Sequence, residues 1–95
     1  MNVEFSEYQD SCGRWHVGFF KSYKAGVNNF LLPAKILGMR LDEYYQWLID
    51  NFEPNMPTVY KPESGFILFT WDNYKKAHDL VLFLNKAARK NPISI

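Results

Sequence analysis

Between Gly65 and Asn85 the sequence GFILFTWDNYKKAHDLVLFLN changes its hydrophobic period once, and that change limits the folds open to the chain. Phe66, Ile67, Leu68, Phe69 and Trp71 form an apolar run after the turn-forming segment Pro62-Glu63-Ser64-Gly65, as a central strand does. From Asp72 onward, Ala77, Leu80, Val81, Leu84, Ala87 and Ala88 fall at helical spacing and make one apolar stripe. Asp72 is the expected N-cap, its carboxylate accepting from a free N–H of the first turn. Lys86, Arg89 and Lys90 complement the dipole at the other end, and Asn91-Pro92 stops the helix. A strand that feeds directly into an amphipathic helix requires helix packed on sheet.

The rest of the chain supplies the other parts of such a layer. Residues 2–8 alternate loosely, with Val3 and Phe5 on one side and Glu4 and Ser6 on the other. Turn residues 9–13 follow, and Trp15, Val17 and Phe19 then alternate with His16, Gly18 and Phe20 to about Ser22, so the pair reads as a β-hairpin. After a connector at 23–29, Phe30 to Met39 holds a short helix with Pro33 in its first turn and Gly38 as terminator. Leu41, Tyr44, Tyr45, Leu48 and Phe52 mark a second helix to about Asn51, broken by Glu53-Pro54 and Pro57. Thr58-Val59-Tyr60 is a short strand, and Ile93-Ser94-Ile95 a candidate last one. The expected fold is α+β: a two-layer sandwich in the order ββααββα(β), with an antiparallel sheet of about four strands and helices on one face. A ferredoxin-like arrangement is one variant of it.

One local misfit stands out. Glu43 is the acid of a capping box, but the cap position is Arg40, which has no acceptor and places a cation at the positive end of the dipole.

Ninety-five residues make a single domain. Eight Phe, six Tyr and three Trp are more rings than so small a core can hide, which favours a binding role. A formal charge of +1 lacks the basic excess usual in nucleic-acid binders. The lone Cys12 excludes an internal disulfide and fits a reducing cytoplasm. There is neither a signal-peptide pattern nor an apolar run long enough to span a membrane.

Gly65, Phe66, Phe69, Trp71, Asp72-Asn73 and Ala77 resemble the third strand and second helix of an RNA-recognition motif, over residues 65–85. The resemblance implies a sheet face that stacks bases, with His16, Phe66 and Leu68 at the matching positions. Ser64, Ile67 and Leu68 depart from that family's pattern, and the first hairpin strand and residues 23–40 are additions to it. Within residues 31–52, LPAKILGMRLDEYYQWLIDNF is similar to small uncharacterised proteins of Gram-positive bacteria and their phages, which implies an origin rather than an activity. The same segment fits a loose helix-turn-helix spacing through Ala34, Gly38, Tyr44 and Trp47. A helix carrying Asp42, Glu43 and Asp50 against Arg40 alone is poorly suited to DNA phosphates.

No pattern in the chain specifies catalysis. Cys12, His16 and His78 do not make a zinc set, Cys12 has no evident activating base, and the glycines form no phosphate-cradling loop. His78-Asp79 reads as a solvent-facing or capping pair. No cofactor is implied. Lys75, Lys76, Lys86, Arg89 and Lys90 give the last helix a basic side, either an ordinary solvated face or a patch for an acidic partner or phosphate backbone. Tyr45 and Trp47 lie about 200° apart on one helix, so they cannot both enter the core. Arg40, Tyr45 and Trp47 are therefore the candidate partner-binding residues.

The leading expectation is a small non-enzymatic, cytoplasmic protein that docks onto a host protein, for instance as a phage-related inhibitor or modulator of a defence nuclease. The alternative is a single-stranded nucleic-acid binder using the sheet face, with a helix-turn-helix regulator third. A homo-oligomer built through the same rings is compatible with each.

Overall fold

A computed structural model describes residues 4–19, 31–55, 60–61, 66–67 and 69–91. The expectations for the end of the second strand, the 23–29 connector, the 62–65 turn, Leu68 and the last strand at 93–95 lie outside the described residues.

Strand β1 (Phe5–Gln9) pairs antiparallel with β2 (Trp15–Phe19), in register from Phe5↔Phe19 to Gln9↔Trp15. Their turn is built on Asp10, whose Oδ1 accepts from the N–H groups of Cys12 at 2.9 Å and Arg14 at 3.0 Å. An aspartate that bonds backbone two residues on favours this kind of reversal, and Gly13 supplies the positive φ of 84° that closes it.

Helix α1 (Leu31–Leu37) ends as expected at Gly38, φ 69°. Met39 N–H donates to the Ala34 carbonyl at 2.9 Å and Gly38 N–H to that of Lys35 at 3.1 Å. This is the paired bonding of a Schellman motif, which satisfies carbonyls the helix itself cannot reach. Helix α2 (Leu41–Phe52) buries Tyr44 and Leu48 and stops at Glu53, which takes the left-handed conformation before Pro54. Helix α3 (Tyr74–Lys90) buries Ala77, Leu80, Val81, Leu84 and Ala88 of the stripe predicted from spacing, with Ala87 half-buried at its margin. Its cap is Asn73 rather than Asp72: the Asn73 side chain accepts from Lys75 N–H at 2.7 Å. Asp72 instead accepts from Asn55 Nδ2 at 3.0 Å.

The expected sheet of about four strands is not formed, nor is its ferredoxin-like variant. The described strands make two separate two-stranded ladders, β1–β2 and β3–β4, where β3 is Tyr60–Lys61 and β4 is Phe66–Ile67. Beyond them, the described residues make only single antiparallel bridges, Trp15↔Trp71 and Asn55↔Thr70. The reason is register. Tyr60 pairs with Ile67, but Asn55 pairs with Thr70, so the first segment covers five positions where the second covers three. The ladder that starts at β3–β4 therefore cannot run on unbroken to Thr70.

Helix α3 is the hub of the molecule. It packs on β1 and β2 and also touches α1 and α2. Its stripe shares one core with Phe5, Leu32, Ala34, Ile36, Tyr44, Leu48, Phe69 and Trp71. Leu80 and Leu84 are fully buried, and each contributes about 1.5–3 kcal/mol of apolar burial. Polar contacts fix the angle of approach. Asn85 accepts from Phe5 N–H at 2.7 Å and donates to the Phe5 carbonyl at 3.1 Å, pairing with β1 as a neighbouring strand would. Trp71 Nε1 donates to the Phe52 carbonyl at 2.9 Å, satisfying a free carbonyl at the end of α2.

Candidate functional site

Leu82, Phe83, the half-buried Trp47 and a group of basic residues come together across α2 and α3. Lys76 Nζ lies 3.3 Å from Glu53 Oε2, just past the end of α2, and the rings of Trp47 and Phe83 are 5.2 Å apart. Positions fall along α2 as they rise along α3, so the two helices run antiparallel. From Trp47 back to Arg40, and from Phe83 on to Lys90, the path is the same, about 10 Å by helix geometry. Arg40 thus shares an end of the pair with Lys86, Arg89 and Lys90.

At the centre lie Leu82 and Phe83, 55% and 45% exposed and consecutive on the outer side of α3. Trp47 is half-buried beside them, stacked on Tyr44 at 5.8 Å and tilted against Phe52 at 5.2 Å, so its ring is held rather than loose. Lys86, Arg89 and Lys90 are exposed, have no partner among the described residues, and stand at i, i+3 and i+4 on the same side. The remaining predicted basic residues are engaged: Lys75 Nζ is 3.9 Å from Asp79, and Lys76 pairs with Glu53.

Arg40 is the N-cap residue of α2, as expected, and its guanidinium, having only donors, cannot accept from the first turn. Half of the box is present, because Glu43 Oε1 accepts from Arg40 N–H at 3.0 Å. The Arg40 side chain folds back over its own helix, with Nε 3.4 Å from both Asp42 Oδ1 and Glu43 Oε1. Two acids in the first turn explain how a cation is tolerated there. Tyr45 does not join this surface. Its ring packs 5.2 Å from Phe69 on the other side of α2. The outward residues of α2 include Asp42, Glu43 and Asp50, a face that repels nucleic-acid phosphates.

His16 is 8% exposed and stacks on Tyr8 with ring centroids 5.0 Å apart. Its Nε2 lies 2.7 Å from Asp10 Oδ2, an acceptor-only carboxylate, which makes Nε2 the donor. Nδ1 is buried without a partner among the described residues. The bond from His16, then that from Arg14 N–H, holds the Asp10 carboxyl below its ordinary range. A base cannot stack on a histidine so enclosed. Of Phe66, only the backbone pairing with Lys61 is described.

A second polar cluster joins β1 to α3. Glu7 Oε1 accepts from Tyr74 Oη at 3.2 Å, while His78 Nδ1 lies 3.4 Å from Glu7 Oε2 and 3.3 Å from Tyr74 Oη. Desolvation, then the charge of Glu7, raises the Tyr74 phenol above its ordinary value. His78 therefore faces a strand rather than pairing with Asp79 in solvent. Its signal was present in the sequence, since Glu7 shares the Phe5 face of β1 and residues 74 and 78 share one face of a helix.

Leu82 and Phe83 were missed by the sequence reading, although both fall off the 77/80/81/84/88 stripe and so had to point outward. Among the described residues no group of His, Cys, Asp and Glu is placed to hold a metal ion, and no helix is long and apolar enough to cross a membrane. Comparison with protein-family models, curated proteins and solved structures finds no match.

Proposed function

We propose that the protein is a non-enzymatic docking protein whose partner is another protein. The observation that supports this reading is the exposed pair Leu82–Phe83 beside an immobilised Trp47, on a chain rich in aromatic residues. Rigid aromatic residues at a surface lose little entropy on binding and dominate protein interfaces. The narrower version, an inhibitor of a defence nuclease, rests on the resemblance of residues 31–52 and adds no residue to this surface.

The test is comparative capture from the host. Immobilised wild type and Leu82→Ser/Phe83→Ser are exposed to lysate with and without nuclease, after circular dichroism has shown both to be folded. A protein retained by wild type, lost from the double variant and indifferent to nuclease is the expected result. Retention by both alike would remove the surface from consideration. Capture that disappears with nuclease would favour the alternative, a single-stranded nucleic-acid binder.

A further inference from the structure

We infer that the segment seated on this surface is acidic, an apolar-anchored stretch of a partner protein whose carboxylates reach Lys86, Arg89 and Lys90. The inference rests on the docking reading and adds the chemistry of the occupant. It comes from the charges around Leu82 and Phe83. The outer side of α3 has Lys75 and Lys76 before the apolar pair and Lys86, Arg89 and Lys90 after it, with Asp79 as its acid. The first two are matched by Asp79 and Glu53. The last three are unmatched among the described residues, and they crowd one turn at the C-terminal end of the helix.

That pattern argues against a second copy of the chain. Antiparallel self-docking of α3 centred on Leu82–Phe83 sets Asp79 opposite Lys86, but it also brings Lys75 opposite Lys90 and Lys76 opposite Arg89, so a second copy supplies one acid to three cations and leaves the Lys86–Arg89–Lys90 cluster unbalanced. It argues equally against an anionic bilayer or a nucleic-acid backbone. Both present negative charge evenly, whereas the outward side of α2 carries Asp42, Glu43 and Asp50 against Arg40 alone. A peptide segment can place its carboxylates at the Lys86–Arg89–Lys90 end alone and turn neutral or basic residues toward α2. Its apolar anchor then covers Leu82, Phe83 and the exposed part of Trp47. Such a segment gains contact area from the rings and orientation from the charges.

The probe is a yeast-displayed library of random 16-residue peptides, selected on the immobilised full chain. Binders are re-measured against Leu82→Ser/Phe83→Ser, against Lys86→Gln/Arg89→Gln/Lys90→Gln, and against the triple glutamate reversal. The glutamine triple keeps good helix formers and so guards against loss of the fold, which circular dichroism checks. The expected binders combine a Leu, Phe or Trp with several Asp or Glu, and weaken at least tenfold in both the serine and glutamine variants. Their affinity falls with salt, and selection on the glutamate triple yields basic peptides instead. Binders that need Leu82 and Phe83 yet show no acidic bias and no loss with glutamine would overturn this inference and leave the docking reading intact. Binders that all ignore Leu82 and Phe83 would overturn both. Phosphatidylserine vesicles or a labelled oligonucleotide, assayed in parallel, would overturn it by binding tighter than the selected peptides through the same residues.

Discussion

Asp10 shows how one short side chain can fix a turn and a buried ring together. Its Oδ1 holds the backbone of residues 12 and 14, and its Oδ2 holds His16. A carboxyl kept below its ordinary range stabilises the fold above its unfolded pKa, near 4, and that contribution disappears as pH falls through the lower folded value. Asp10→Asn keeps the turn acceptor and removes the charge. The wild-type protein should lose stability on acidification below about pH 4 more steeply than this variant, by urea unfolding across a pH series. Arg40 offers the opposite case, a residue poorly suited to its site and compensated by neighbours. Arg40→Ser gains a cap acceptor, roughly 1 kcal/mol, and loses exposed ion pairs worth a few tenths each. A net gain of about 0.5 kcal/mol in denaturant unfolding is expected, with partner affinity unchanged if the Arg40 end contributes nothing to docking.

Among the elements, α3 was the most legible in the sequence and the strands the least. A helix writes its buried face into local spacing, so the stripe from Ala77 to Ala88 could be read directly. Leu84→Ala, at a position with no exposure, should cost about 2–5 kcal/mol by urea unfolding, whereas Leu82→Ser should leave the midpoint nearly unmoved. Equal losses at the two positions would mean that the helix is rotated from the orientation described. Strand pairing is not local. The apolar run of residues 66–71 suggested one central strand, but nothing in it reveals that Asn55 and Tyr60 pair in different registers. The cap moved by one residue for a nearby reason: Asp72 and Asn73 are both good caps, and Asn55 recruits the first.

At the scale of the molecule, the candidate surface was half legible. Trp47 and the basic residues could be picked out from the sequence, and helical phase alone was enough to add Leu82 and Phe83. What could not be read was that α2 and α3 lie antiparallel, the arrangement that brings Arg40 to the end occupied by Lys86 and Lys90. Nor could Tyr45 be assigned, because its partner Phe69 is distant in sequence. The same holds for Asn85, a polar position of α3 whose side chain pairs with the backbone of Phe5, eighty positions away. Asn85→Ala leaves the backbone groups of Phe5 without these partners and should cost about 1–3 kcal/mol. Amide exchange at Phe5 should quicken before that of the α3 interior.

The pairing of Phe5 with Asn85 also has a consequence in time. During synthesis the N-terminal hairpin leaves the ribosome long before residue 85 does, and local contacts alone do not stabilise an isolated two-stranded hairpin. Until α3 emerges, Phe5 and Trp71 have no stripe to pack against. Closure of the core around Phe5 therefore follows the synthesis of α3, and a chain cut before residue 80 should expose these aromatic residues.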